Sequence, residues 1–500
     1  MRLEKLLDGV RHTKIYGDPA ISIDDITLDS RKTAGGGLFA AVKGFRQDGH
    51  DHALDAVRNG AVAVICNKKL VLDPSVTQVI VDDTRKALPA ISRNFFGDPS
   101  RSLKVIGITG TNGKTTTCWL IDSILKAAGK KTSTITTYRS FIDGREVIFD
   151  RTTPESIELQ RFFSRSLESG AEFACMEVSS HSIDLHRVDG IDFDFLVFTN
   201  LSQDHLDYHG SMEDYFEVKS RLFNTANRQY YGDGKAIINI DDSFGLRLFR
   251  QTGMKKTSYA INNEKARIRA ADITSSVDGI KMVITGDGIP ALKVRTPLCG
   301  IFNIYNILAA SAVCLEAGIS TDHILTGISR MKGFGGRFEK IGKDPEKTVI
   351  VDYAHTPDGL RNVLETAANI LSGGGRLISV FGCGGDRDRD KRKKMGAISA
   401  RLAGFSIITS DNPRSEDPER IIDMIEEGFR QEGIKGYARI TDREQAIFTA
   451  MDKARPGDIV LIAGKGHEDY QEFEKGRRIH FSDTEVVEKY YEDKKKDKTG

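Results

Sequence analysis

The chain has 500 residues, 39% hydrophobic and 29% charged, the balance of a globular protein too long for a single core. Its 72 basic and 71 acidic side chains leave a formal charge of +1. No global field therefore draws nucleic acid or an anionic membrane, and neither is expected as a partner.

The start, MRLEKLLDGVRHTK, lacks the apolar core of a signal peptide, and no run approaches the length of a membrane span. The six cysteines (66, 118, 175, 299, 314 and 383) lack metal-type spacing, so reduced thiols and a cytoplasmic location are expected. From about residue 1 to 100, β-type runs such as AVAVIC (61–66) and TQVIVDD (77–83) mix with helical stretches. RNFFGDPSRSL (93–103), with its Gly and Pro, is predicted to be a linker. KVIGITG (104–110) is a buried-strand run that breaks into a glycine turn, and TTCWLIDSILKAAGKK continues it as a helix. That is the strand–loop–helix order of a nucleotide-binding domain. Further strands are predicted at EFACMEV (172–178) and FDFLVFT (193–199), and GFGGRFEKIG (333–342) reads as a hinge. Beyond it, TVIVDY (348–353), RLISVFG (376–382), FSIITSD (405–411) and DIVLIAG (458–464) each end in a polar loop. In a parallel open sheet such loops share the edge where ligands bind. The charged tail YYEDKKKDKTG is predicted to fray.

The fold class expected is α/β in three domains: a smaller N-terminal domain (1–100), a central P-loop ATPase-type parallel sheet (101–337) and a C-terminal Rossmann-like domain (338–500). Without coiled-coil heptads, a monomer is expected.

GTNGKTTT, Gly110 to Thr117, is the strongest local signal. Its glycines let backbone N–H groups approach phosphate oxygens, and the following helix N-terminus favours negative charge. Lys114 is placed to reach the terminal phosphates and Thr115 to set a hydroxyl on magnesium. The spacing departs from GxxxxGK[ST], because Ile108 stands where the first glycine belongs. Glu177 closes the next strand, at a position suited to magnesium but equally to a solvated strand-end charge. Asp204 and His205, after the third strand, are open to a site role or a turn-forming one.

GTNGKTTT, MEVSSH, TNLSQDHLDYHG, YFEVKSRLF, GIFNIYNILAA and GRFEKI occur in the order seen in the ATP-dependent Mur ligases of peptidoglycan synthesis. The chain resembles that family along essentially its whole length. The resemblance implies ATP binding through Gly110, Thr111, Asn112, Gly113, Lys114, Thr115 and Thr116, with Asn303, Arg337 and Asp352 around adenine, phosphate and ribose. It implies that Lys219 becomes carbamylated, turning a cation into an oxygen ligand that helps Glu177, His205 and Thr115 hold Mg2+. Read alone, Lys219 is a surface lysine on an amphipathic helix. Catalysis is expected from Lys114, Lys219, His205 and Glu177, with a looser part for His355 at the phosphates or the domain junction.

The N-terminal DSRKTAGGGLFAAVKGFRQDGHDH resembles a uridine-nucleotide site. Ser30 is implied to contact UDP, and Thr152, Thr153, Ser179 and Arg187 the rest of a UDP-N-acetylmuramoyl-L-alanyl-D-glutamate acceptor. Leu185 stands where the family often has Gln, and GFGGRFE departs from GVPGRFE. In the last domain DNPR accompanies meso-diaminopimelate in this family, implying Asp411, Asn412, Pro413 and Arg414 as contacts, with Arg387, Gly464 and Glu468. Diaminopimelate differs from lysine by a far-end carboxylate, to which an arginine offers a planar pair of donors. Glu468 is the expected partner of the distal ammonium. Ser415 and Pro418 have an ordinary explanation at a helix start. The run from Arg387 to Lys394 alternates with Asp386, Asp388 and Asp390, which argues against a polyanion site. A lysine-adding ligase, a folylpolyglutamate synthase and a nucleotide-binding switch without ligase chemistry remain the competing readings.

Overall fold

The computed structural model describes every residue except 45–46, 225–233, 277–278, 332–334, 343–345, 372–373 and 500, and every described side chain except those of 496–499. Three sheets carry the architecture. The first holds β1 (Lys14–Tyr16), β2 (Asp25–Thr27), β3 (Gly37–Ala40), β4 (Ala61–Cys66) and β5 (Thr77–Ile80) in the order β1-β5-β4-β3-β2. Only β1 runs antiparallel to its neighbour.

The second sheet holds β6 (Lys104–Thr109), β7 (Thr132–Ile135), β8 (Ser140–Ile142), β9 (Arg145–Val147), β10 (Phe173–Glu177), β11 (Phe195–Phe198), β12 (Lys235–Asn239), β13 (Lys255–Ala260), β14 (Ile268–Ser276), β15 (Gly279–Gly286) and β16 (Ile289–Thr296). Their order is β16-β15-β14-β13-β12-β11-β6-β10-β7-β8-β9. The central strands are parallel and buried on both faces, which is why they read as unbroken apolar runs. Alternate side chains divide between two cores. Ile106, Ile108, Cys175 and Val197 pack under the helices Lys114–Ala127 and Ile301–Glu316. Val105, Ala174, Met176 and Phe198 pack under Ser156–Glu168 and Met212–Ser220. Antiparallel strands extend both ends of this sheet, an addition the sequence pattern did not announce.

The third sheet holds β17 (Glu339–Ile341), β18 (Thr348–Asp352), β19 (Leu377–Phe381), β20 (Phe405–Ile408), β21 (Tyr437–Arg439) and β22 (Ile459–Ala463) in the order β17-β18-β22-β19-β20-β21. All are parallel except β17. The loops after β18, β22, β19 and β20 therefore share one edge, as expected for a ligand-binding switch point. A separate hairpin, β23 (Tyr470–Glu472) and β24 (Arg478–His480), lies against that edge through the bridge between Arg414 and Phe473.

Three local expectations are corrected. The segment 93–103 is no open linker: the helix Thr84–Phe96 runs into it, Gly97 ends that helix, and a 3-10 turn spans Pro99–Ser102 with Pro99 and Ser100 buried. The tail continues a helix, Asp483–Thr499, whose Val486, Val487 and Tyr490 pack on the third domain; residue 500 lies outside the described residues. The glycine-rich hinge is docked beyond residue 334: the Phe338 N–H donates to the Asp352 carboxylate at 2.7 Å. Residues 333 and 334 of that hinge lie outside the described residues. Among the described residues, no helix is long and apolar enough to cross a membrane.

The last helix is anchored by a buried ion pair. Arg443 Nε and Nη2 each donate to Asp483 at 2.7 Å, and Nη2 also reaches the Ala463 carbonyl at 3.0 Å. Both side chains are 0% exposed, so neither charge has water to fall back on. Asp483→Ala is expected to destabilise the third domain by about 3–5 kcal/mol, seen as a lower calorimetric midpoint. An unchanged midpoint would contradict a sealed pair.

Candidate functional site

β6 ends at Thr109 and the helix Lys114–Ala127 begins after a glycine turn. Gly113 takes φ +86° at the helix start, where an added Cβ would lie 2.3 Å from Asn306 Oδ1. Asn306 is held there by donating to Asn303 Oδ1 at 3.0 Å, while Asn303 donates to the Cys299 carbonyl at 2.7 Å. The turn is fixed from the next strand as well: Thr111 N–H donates to the Asn200 carbonyl and Asn112 N–H to Asn200 Oδ1. Lys114 folds back over it, donating to the carbonyls of Gly110 at 3.1 Å and Thr111 at 2.8 Å. Burial lowers its pKa, although Glu177 and Asp204 pull the other way. A fixed glycine turn at a helix N-terminus is an anion cradle.

Glu177 is no solvated strand-end charge. It is 1% exposed and accepts Thr115 Oγ1 at 2.6 Å, Thr137 N–H at 2.9 Å and Thr137 Oγ1 at 3.1 Å. Lys219 is no surface lysine either. It is 1% exposed, lies over the Tyr215 ring, and donates to Thr109 Oγ1 at 3.3 Å and the Gly110 carbonyl at 3.1 Å. Burial, with Lys114 nearby, pushes its pKa well down. Asp204 stands 3.5 Å from His205 Nε2 and 4.0 Å from His355 Nε2. Burial raises the Asp204 carboxyl, but His205, Lys391 and His355 outweigh it and hold the group well below the ordinary range. Burial brings His205 down to about 3. His355 thus sits at the junction of the second and third domains.

Thr152, Thr153, Ser179 and Arg187 gather beside Glu177. Thr137 donates to Thr152 Oγ1 at 3.0 Å, Thr153 to the Glu177 carbonyl at 2.9 Å, and Arg187 to the Thr153 carbonyl at 3.2 Å. Ser179 also caps the short helix Ser180–Asp184, and Leu185 ends it. Ser30 lies apart from these, in a cleft of about 860 Å³ between the first and second domains. Arg58, Arg85, Arg151 and Arg161 also line that cleft, and its Asp150–Glu158 wall leads toward Thr153.

A second cavity, of about 340 Å³, lies between the second and third domains. It brings together Asn112, Gly113 and Thr116 with Asn303, Arg337, Asp352 and His355. Asn112 spans it by donating to Asp358 at 3.3 Å. The Arg337 guanidinium stacks 4.6 Å from the Tyr353 ring, and its buried Nε has no hydrogen-bond partner among the described residues. Asp352 accepts the N–H groups of Phe338 and Ala354, both at 2.7 Å. Burial raises its pKa.

The loops after β20 and β22 meet at the edge of the third sheet. Asn412 Nδ2 donates to Glu468 Oε2 at 3.0 Å, and Tyr353 donates to Glu468 Oε1 at 3.4 Å. Pro413 is buried, and Gly464, at φ +121°, faces Asp411. Arg414 is engaged on two sides: its Nε donates to Glu472 Oε2 at 2.9 Å and its Nη1 to the Gly385 carbonyl at 2.8 Å. Arg387 is exposed and donates to the Asp386 carbonyl. Glu468 already has a cation, Lys465, at 3.5 Å.

Lys465 escaped the sequence reading. It is 0% exposed and donates to Asn412 Oδ1 at 2.9 Å and the Tyr470 carbonyl at 2.6 Å, with Asp411 at 3.4 Å. A charge inside the glycine-rich GKGHE was the available signal. Thr137, Tyr353, Asn306 and Glu472 were also missed; nothing local marks them, because their partners come from other strands.

Residues 22–102 match the Mur ligase family catalytic domain, 108–314 the Mur ligase middle domain, and 336–466 the Mur ligase glutamate ligase domain. The chain is 41% identical over 493 residues to the UDP-N-acetylmuramoyl-L-alanyl-D-glutamate–2,6-diaminopimelate ligase 1 of Clostridium acetobutylicum, covering 98% of this chain and 99% of that one. It is similar to a solved structure of a UDP-N-acetylmuramoyl-L-alanyl-D-glutamate–2,6-diaminopimelate ligase, with a TM-score of 0.68, 32% identity and 99% of both chains covered. The Mycobacterium tuberculosis folylpolyglutamate synthase shares the fold at a TM-score of 0.60, but with 19% identity over 76% of this chain and 92% of that one.

Gly129 takes φ +73° with nothing within 4 Å of an added Cβ, so it isolates the backbone penalty from the steric one at Gly113. Gly129→Ala is expected to cost about 1 kcal/mol through the left-handed backbone alone. Gly113→Ala must also displace Asn306, so its denaturation midpoint is expected to fall further; equal midpoints would mean Asn306 yields freely.

Proposed function

The chain belongs to the Mur ligase family, and from that premise we propose that it uses ATP to join meso-2,6-diaminopimelate to UDP-N-acetylmuramoyl-L-alanyl-D-glutamate. It is a ligase, as its full-length relatives are. The observation that carries the reaction is the connection made by Tyr353. Its ring lies under Arg337 in the cavity beside the phosphate loop, and its hydroxyl reaches Glu468 in the loops assigned to the amino acid. Nucleotide and amine are thereby brought to one junction.

In this reading ATP fills the 340 Å³ cavity, with Asn303, Arg337 and Asp352 around it. The UDP-linked acceptor enters the larger cleft at Ser30 and passes Thr152, Thr153, Ser179 and Arg187 to reach Glu177. A carboxylate oxygen of the acceptor forms a bond to the γ-phosphorus and the bond to ADP breaks, giving an acyl phosphate. The amine nitrogen then attacks the acyl carbon, loses a proton and expels phosphate, leaving an amide. Lys114 neutralises charge on the transferred phosphoryl group, and the packed domains exclude water that would hydrolyse the acyl phosphate.

Magnesium held at Thr115, Glu177 and His205 supplies further charge neutralisation when bound. The Thr115 and Glu177 oxygens, 2.6 Å apart, suit a hard cation. A carbamate on Lys219 adds a further oxygen to that set, beside the waters and phosphate oxygens that complete a magnesium shell. Burial at the phosphate loop, where it donates to Thr109 and Gly110, and the nearby Lys114 favour the neutral form of the Lys219 amine, the form that attacks carbon dioxide, although Asp204 pulls the other way. Domain borders at 100/101 and 337/338 belong to the same reading, supported by sheets spanning 14–80, 104–296 and 339–463. So does a monomeric, cytoplasmic enzyme, for which the six free cysteines support a reducing compartment and the lack of coiled-coil heptads the single chain.

Phosphate release from ATP, with magnesium and the UDP-muramoyl dipeptide, is expected on adding diaminopimelate and not lysine, with a product heavier by one diaminopimelate residue. Preference for lysine would overturn the amino-acid assignment, and release with neither would overturn the ligase. Lys114→Ala is expected to lower turnover by at least about 100-fold with the fold intact.

Removing carbon dioxide from the wild type is expected to lower activity, restored by bicarbonate, while Lys219→Arg stays inactive under both conditions. A fully active Lys219→Arg variant would rule out the carbamate.

A further inference from the structure

We propose that Glu472 is a positioning residue that sets selectivity for an amino acid with a far-end carboxylate, by aiming the Arg414 guanidinium at that carboxylate. The inference rests on the diaminopimelate reading above and deepens it.

Arg414 is held from two sides by one residue. Its backbone, at φ +52°, is in a region that non-glycine residues rarely adopt, and it is kept there by donating to the Glu472 carbonyl at 3.1 Å. Its Nε donates to Glu472 Oε2 at 2.9 Å, while Nη1 donates to the Gly385 carbonyl at 2.8 Å. These two anchors fix the guanidinium plane and leave Nη2, with the second hydrogen of Nη1, for a ligand. Gly384 keeps the space clear, since a Cβ there would stand 3.1 Å from Nη1.

Glu472 is itself fixed to the amino-acid loops. It ends β23, its N–H donates to Asn412 Oδ1 at 3.0 Å, and the Tyr470 carbonyl on the same strand accepts Lys465 at 2.6 Å. The hairpin therefore carries the aim of Arg414 from the loops that hold Asn412 and Glu468. An arginine with its plane already set loses less freedom on meeting a carboxylate than one free to swing. Lysine has no far carboxylate, so its use does not depend on that aim. The two side chains are 20% and 19% exposed, so a neutral residue at 472 leaves no sealed charge behind.

The test measures kcat and KM for diaminopimelate and for lysine in the full-length enzyme, with ATP and the UDP-muramoyl dipeptide. Glu472→Ala is expected to raise KM for diaminopimelate by about tenfold or more, leaving kcat, KM for ATP and the low use of lysine unchanged. Glu472→Gln, which keeps an acceptor oxygen, should recover most of the loss. Arg414→Ala should be at least as severe, and the double variant no worse than Arg414→Ala alone. If Glu472→Ala leaves diaminopimelate use unchanged or improved, impairs both amino acids alike, or adds to Arg414→Ala, the proposal is overturned. A crippling Arg414→Ala with a silent Glu472→Ala would sink the role of Glu472 alone. A silent Arg414→Ala would remove Arg414, and Glu472 with it, from the carboxylate contact, whereas a wild type that prefers lysine would overturn the diaminopimelate reading itself. Should Glu472→Ala melt early, the comparison passes to Glu472→Asp, one methylene too short to keep the Arg414 Nε bond: it must raise KM for diaminopimelate and not for lysine, and a wild-type KM would overturn the proposal.

Discussion

One backbone oxygen, the carbonyl of Gly110, accepts both Lys114 and Lys219, each at 3.1 Å. Two ammonium groups on one acceptor repel each other, and the one with less access to water gives way. Lys219 is the sealed member, and its lowered pKa follows from burial and from Lys114 together. Glu177, the nearby strand-end carboxylate, is taken by Thr115 and Thr137. The glycine turn thus holds one half-buried lysine and one sealed amine on the same oxygen, the pair to which the proposed reaction assigns the nucleotide and the carbamate. Everything around it serves to keep that oxygen in place: the glycine turn, the Asn200 bonds and the Asn303–Asn306 ladder.

From this loop the structure extends to both neighbours by short polar links. Toward the first domain, Thr153 ties the 150–155 segment, part of which lines the larger cleft, to the Glu177 backbone. Toward the third, Asn112 meets Asp358, and Gln203 donates to Asp388 at 3.1 Å. Such bonds across a junction are individually modest, about 1 kcal/mol each, so the domains can separate to admit ligands and close over them. Tyr353 is placed differently: one side chain belongs to the nucleotide cavity by its ring and to the amino-acid loops by its hydroxyl.

The amino-acid loops are preorganised by their own hydrogen bonds. Lys465 determines which way the Asn412 amide faces, because an ammonium can only donate and Oδ1 must accept. Asn412 then donates to Glu468, and Glu472 engages Arg414, so the carboxylate and guanidinium are oriented before a ligand arrives. Beneath them the Arg443–Asp483 pair fixes the helices behind β22. This buried polar layer replaces the apolar packing found elsewhere in the third domain, and it makes the pocket depend on every member being paired.

What the sequence determined by itself was local or periodic. β6, β10, β11, β18, β19, β20 and β22 were legible because strands buried on both faces need continuous apolar runs. The glycine turn before the helix Lys114–Ala127 was legible because its pattern lies in consecutive residues, and DNPR and GKGHE likewise stood out as the loops that meet at one edge of the third sheet. Tertiary structure alone decided who meets whom. Glu177 finds Thr137, Lys219 finds Gly110 and Arg414 finds Glu472 across separations of 40, 109 and 58 residues. It also decided that the charged tail would pack as a helix and that antiparallel strands would extend the central sheet. Those outcomes follow from strand order and register, which place distant segments side by side, and no local pattern encodes the distance between partners.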